Sequence, residues 1–141
     1  MTVEALSAAL SAEHAAVYGY GVVGAHLDAA GKAAAADAEN VHRNRRDALI
    51  LRLTQEKANP PAAAAAYALP FAVTDRASAL KLAVALESGA AAAWRQAVGG
   101  TTGDDRKIAL DALIDCAMRA TQWRVTAGIT PTTVPFPGAS A

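Results

Sequence analysis

Three glutamates and a histidine are the residues of this chain best placed to do chemistry. Leu6, Leu10, Glu13, Val17, Tyr20, Gly24 and Leu27 follow one another at alternating spacings of four and three, the seam by which a helix packs on its neighbours. Glu13 sits in the middle of that seam. Leu80, Val84, Glu87, Ala91, Trp94 and Val98 repeat the pattern, with Glu87 central. Between them, Glu39 and His42 form a Glu-x-x-His pair, whose spacing points both side chains to one face of a helix. One inward Glu from each of two helices plus Glu-x-x-His from the other two is the ligand set of dimetal carboxylate bundles.

The elements that must position these residues are helices. The chain has 141 residues, about one domain's worth, and 1–141 reads as a single four-helix-bundle domain with an irregular, proline-rich tail over 128–141. Alanine dominates and aromatics are only 5%, which favours helices that approach closely over a thick aromatic core. The formal charge is zero and neither half is strongly basic, so no nucleic-acid footprint is expected. Cys116 is alone and cannot form an internal disulfide. Glu4 stands where a leader would be basic, and no long apolar run follows, so neither signal peptide nor membrane anchor is expected and the protein reads as cytoplasmic. Ser-His-Asp sets, phosphate loops, Cys-rich zinc motifs and Gly-rich nucleotide fingerprints are all missing.

Helix 1 is predicted from about Val3 to Ala29, with Gly31 as the stop, and helix 2 from about Ala33 to Lys57, ended by Asn59, Pro60 and Pro61. Thr74 or Asp75 caps helix 3, which reaches about Val98. Gly99, Gly100 and Gly103 make a short turn into helix 4, about Asp104 to Ala127. Short turns after helices 1 and 3 make two antiparallel hairpins. The long connection between helices 2 and 3, with its run Tyr67, Ala68, Leu69, Pro70, Phe71, is able to travel the length of a helix, and Leu69 and Phe71 are expected to be buried.

The segments AEHAAVYGYGVVGAHL, HRNRRDAL, AAYALPFAV, LESGAAAAWR and MRATQWR together resemble a bacterial family of small ferritin-like domains with no assigned biochemical function. The resemblance covers nearly the whole chain and implies an all-α, ferritin-like four-helix bundle with one long crossover. The wider superfamily implies iron or manganese held by Glu13, Glu39, His42 and Glu87. Helix 4 departs from that pattern, because Asp115 and Met118 stand where a second Glu-x-x-His belongs, and a thioether is a soft ligand poorly matched to a carboxylate site.

Register also points away from a dimetal centre. A turn near Ala30 or Gly31 puts Asp47 or Ala48 level with Glu13 and leaves His42 roughly 9 Å away along the axis. Arg46 is nearer, and a turn near Thr101 puts Asp115 level with Glu87. The expected centre is therefore a buried cluster of Glu13, Arg46, Glu87 and Asp115, with an arginine standing where the metal stood. His42 reads as a hydrogen-bonded, half-buried histidine, and His14 as flanking. His26 answers a helix dipole, Trp94, Trp123, Tyr18 and Tyr20 read as packing, and Cys116 reads as inert. Gly19, Gly21 and Gly24, beside Tyr18 and Val22, suggest a flat face of helix 1 for a second copy of the chain.

These readings converge on a ferritin-like bundle of unassigned role. It is expected to be non-catalytic and without a favoured cofactor, acting through association as a homodimer or with an unknown protein partner, away from membranes and nucleic acid. The alternative is an oxidoreductase-type protein with iron or manganese on Glu13, Glu39, His42 and Glu87. A third reading is a small-molecule binder between the hairpins, in space left by the many alanines.

Overall fold

The structure, a computed structural model, describes residues 2–140. Met1 and Ala141, the two ends of the expected domain range, lie outside the described residues. The described residues form four helices and no strand: α1 Thr2–Ala25, α2 Ala29–Gln55, α3 Arg76–Gly100 and α4 Gly103–Ala127. No helix among them is long and apolar enough to cross a membrane.

The first turn falls earlier than the glycine signal suggests. At the end of α1 the backbone tightens, with His26 N on Val23 O at 3.2 Å, and Asp28 then caps α2 by accepting from the Gly31 amide at 2.8 Å. Gly31 is thus not a stop signal but part of the first turn of α2. A Cβ there would lie 2.8 Å from Leu27 Cβ, so the close approach of the turn is what requires glycine. At α3, Asp75 and Ser78 form a reciprocal capping box. Gly128 closes α4 in the left-handed conformation at φ 69°.

The helix backbones pack α1 on α2, α1 on α3 and α3 on α4, whereas α2 and α4 stand apart. The contacts run in order: Gly24 lies against Ala35 and Glu13 against His42, while Gly19 lies against Leu86, Glu13 against Trp94 and Gly100 against Ala5. Two apolar clusters result. One holds Leu6, Leu10, Leu49, Leu53 and Trp94, and the other Tyr20, Val23, Leu27, Leu80, Leu82 and Trp123. Glu13 falls between them along α1.

The connection from α2 to α3 lies along the bundle. Tyr67, Leu69, Phe71 and Val73 are each half-buried while Ala68, Pro70 and Ala72 face out, the alternation of an extended segment with one side on a core. Leu69 and Phe71 are therefore less covered than expected. Tyr67 packs on Tyr18 with ring centroids 5.6 Å apart, the Phe71 ring lies under Lys81 Nζ at 5.3 Å, and His14 Nε2 meets the Pro61 carbonyl at 3.0 Å. The tail returns over α3. Arg95 donates to the Pro137 carbonyl at 3.3 Å, and Gly138 sits so close that a Cβ would meet Ala91 O at 2.5 Å.

The helix 1 face expected to meet a second copy is covered from within only in part, with Gly19 buried, Val22 and Gly24 half-buried, and Tyr18 and Gly21 exposed. Gly19 receives Leu86, a Cβ on Gly24 would lie 3.8 Å from Ala35 Cβ, Tyr18 meets Tyr67, and Val22 packs against the second apolar cluster. Only Gly21 of the three glycines faces open space.

Candidate functional site

Glu13 of α1, His42 of α2 and Glu87 of α3 are all fully buried and meet at the centre of the bundle. The imidazole lies between the carboxylates: Nδ1 is on Glu13 Oε2, and Nε2 is on Glu87 Oε1 at 2.9 Å. Two further donors complete the shell. The Trp94 indole donates to Glu13 Oε1 at 2.6 Å, and the Tyr20 hydroxyl donates to Glu87 Oε1 at 2.5 Å. The Trp123 indole in turn donates to the Tyr20 oxygen at 2.9 Å. Tyr20 also stacks on His42, with centroids 5.6 Å apart and planes inclined by 24°.

The protonation state follows from this geometry. Burial opposes a charge on His42, but hydrogen bonds and attraction from Glu13 and then Glu87 outweigh it and hold the imidazole pKa up to about 9. His42 is an imidazolium at neutral pH, donating from both nitrogens. Burial, reinforced by the Glu87 charge, pushes the Tyr20 phenol well above its ordinary value, so it stays protonated and donates. Burial likewise raises the Cys116 thiol, helped by Glu87, which keeps it unreactive.

A second layer lies on α4 and the facing side of α2. Arg119 donates to Asp115 Oδ2 at 2.6 Å and to Oδ1 at 3.2 Å, and its Nη1 stands 3.9 Å from Glu87 Oε1. Arg45 donates to Asp115 Oδ2 from the other side. Asp115 is partly exposed, and burial would raise its pKa, but hydrogen bonds from Arg119 and Arg45 hold it below the usual carboxylate range. Glu13, Glu87 and Asp115 thus face His42, Arg119 and Arg45, three acids against three cations. One polar atom is left over. Glu87 Oε2 is buried and has no hydrogen-bond partner among the described residues.

The residues expected at the centre divide. Glu13 and Glu87 are there, and Asp115 reaches Glu87 only through Arg119. Arg46 is not there: it points outward and pairs with Asp47 at 2.8 Å. The reason is register. With α1 ending at Ala25 and α2 beginning at Ala29, the position level with Glu13 is near Val41 and His42, not Asp47. His42 therefore takes the place expected of Arg46.

Of the ligand set implied by the resemblance, Glu39 pairs with Arg43 near the surface rather than turning inward, and Met118 is exposed. The His42 nitrogens are each directed at a different carboxylate. In this arrangement Glu13, Glu39, His42 and Glu87 do not converge, and no group of three or more metal-ligating side chains does so among the described residues. Tyr20, Trp94, Arg45 and Arg119 are members of the site that sequence reasoning missed. The signals were Tyr20 one heptad after Glu13 on the same seam, and Arg119 four residues after Asp115.

Fold and site together define a four-helix protein with a buried carboxylate and imidazolium centre. The chain belongs to the family described as Domain of unknown function (DUF4439), whose sequence profile matches residues 5–141. Among solved structures it is similar to the crystal structure of a conserved hypothetical protein from Mycobacterium tuberculosis. The sequences are 42% identical, the match covers 89% of this chain and 96% of that one, and the TM-score is 0.86. No curated protein matches the sequence.

Proposed function

We propose that the protein is a non-catalytic bundle of the ferritin-like architecture, two antiparallel hairpins joined by a long crossover, in which a histidine has taken the metal's place. The observation that carries this reading is the His42 ring, held between Glu13 and Glu87 with each nitrogen on a different carboxylate. A cation between two buried carboxylates is what a metal centre supplies, and an imidazolium supplies it without exchangeable ligand positions. Tyr20 and Trp94 occupy further carboxylate lone pairs, which favours a structural role over a reactive one. The centre sets the register of the helices, and the protein acts in the cytoplasm through its surface, by association with a second copy or another protein.

Elemental analysis of protein purified without chelator tests this. Far less than one iron or manganese per chain, with a melting temperature indifferent to chelation, is the expected result. Stoichiometric metal, with melting lowered by chelation, would overturn it.

A second reading rests on Glu87 Oε2, the buried oxygen with no partner. An ion bound there would use Glu87, Glu13 and a rotated His42, and would not involve Glu39. Under that reading His42→Gln abolishes metal uptake; under the first it changes stability alone.

A further inference from the structure

The side of the bundle between α2 and α4 is open. Their backbones do not meet, and the polar side-chain links between them are made by arginines: Arg52 to Asp105 at 2.9 and 2.8 Å, and Arg45 to Asp115. The Arg45, Asp115 and Arg119 bridge divides the gap into two cavities, of about 350 and 370 Å³. The one beside Arg45 has an apolar floor made by Leu6, Leu49, Trp94 and Ala112, with Ile108 at its edge. Cavities of this size stand at the small end of those that hold metabolites.

Charge decides what such a cavity accepts. Asp105 is held by Arg52 in a bidentate pair, and Asp111 by Lys107 at 2.5 Å. Each Arg52 nitrogen donates to a carboxylate, Nε and Nη2 to Asp105 and Nη1 to Glu56. Arg45 differs. Its Nη2 donates to Asp115, a carboxylate it shares with Arg119, while its Nη1 reaches only the Cys116 sulfur at 3.5 Å, a weak acceptor. Of the two guanidiniums that line this cavity, Arg45 is thus the less committed, with a single carboxylate oxygen as its strong acceptor, and it stands beside the apolar floor. Planar carboxylates match that fork better than any neutral or cationic group.

We infer that the α2 and α4 groove is a binding site for a small amphipathic carboxylic acid, its apolar body on Trp94, Leu6 and Leu49 and its carboxylate on Arg45. The groove shares Trp94 with the buried centre, since the indole donates to Glu13, but Arg45 hydrogen-bonds neither glutamate and faces the groove.

Octanoate, octan-1-ol and octylammonium have the same apolar chain and differ in the head group, so titrating each into the full chain by calorimetry isolates the guanidinium's part. Octanoate should bind saturably at one site, with octan-1-ol about tenfold weaker and octylammonium weaker still. Arg45→Gln should reduce octanoate to the level of octan-1-ol. Ile108→Trp, which fills the groove from its exposed edge and leaves every charged pair in place, should abolish binding of both while melting stays near wild type. If Arg45→Gln does not fold, the Ile108→Trp and head-group comparisons still decide. Equal affinity for octanoate and octan-1-ol, preference for octylammonium, binding unchanged by Ile108→Trp, or no octanoate binding to wild type at about 10 mM would each overturn the inference.

Discussion

His42 and Glu87 meet at 2.9 Å, Nε2 to Oε1, while the other ring nitrogen is held by Glu13, so a single imidazole from α2 ties α1 to α3 at the centre of the bundle. Neither carboxylate is reached by solvent. Removing the cation between them strands two buried charges. His42→Gln is expected to destabilise the fold by about 3 to 5 kcal/mol, the usual consequence of breaking one side of a buried pair. Arg46→Leu, on the surface beside Asp47, should change stability by less than about 1 kcal/mol. Denaturant titration of both variants checks the order.

Stability should fall with alkaline pH. The folded His42 pKa is raised from 6.5 to about 9, so the stabilisation it provides is fully present below about 6.5 and is lost as pH rises through 9. The difference between pH 6 and pH 10 attributable to this group is on the order of 3 kcal/mol. Melting curves of wild type across that range should show the decline, and His42→Gln should flatten it.

Tyr20→Phe removes a donor from Glu87 and an acceptor from the Trp123 indole while keeping the ring stacked on His42. Two buried polar groups then lose a partner each. A loss of about 1 to 3 kcal/mol is expected in chemical denaturation, with the helical circular dichroism unchanged.

Glycines in α1 should respond in opposite directions. Gly21 is helical, near the C-terminal end of α1, with open space around its Cβ position, so Gly21→Ala should stabilise by about 0.5 to 1 kcal/mol. At Gly19 a Cβ would come within 2.5 Å of Leu86 Cδ2, and the leucine must move. Gly19→Val should therefore destabilise by about 1 to 3 kcal/mol, as overpacking does. Paired thermal melts distinguish the two positions.

Helix number, the seams and the centrality of Glu13 and Glu87 were legible because their apolar spacing is periodic over about twenty residues in each seam. The partner of those glutamates was not. It depended on where α1 ends, and the end is set by the Asp28 cap rather than by Gly31, a local hydrogen bond that moved the register of α2 by about six residues. That shift exchanged Arg46 for His42. Trp94 and Tyr20 were legible as core residues, but their donor roles depend on side-chain directions across three helices, which no single-helix pattern contains. The open side between α2 and α4 was equally hidden, since which helices stand apart depends on how all four pack and not on the pattern of any one.

The proton count on His42 tests the central claim most directly. Long-range nitrogen and hydrogen correlation spectra of uniformly nitrogen-15-labelled protein report the two ring nitrogens separately. From pH 6 to pH 8 both His42 nitrogens should carry protons and show imidazolium shifts, with loss of one proton only near pH 9. A neutral single tautomer at pH 7, or a ring nitrogen shifted by metal coordination, would contradict it.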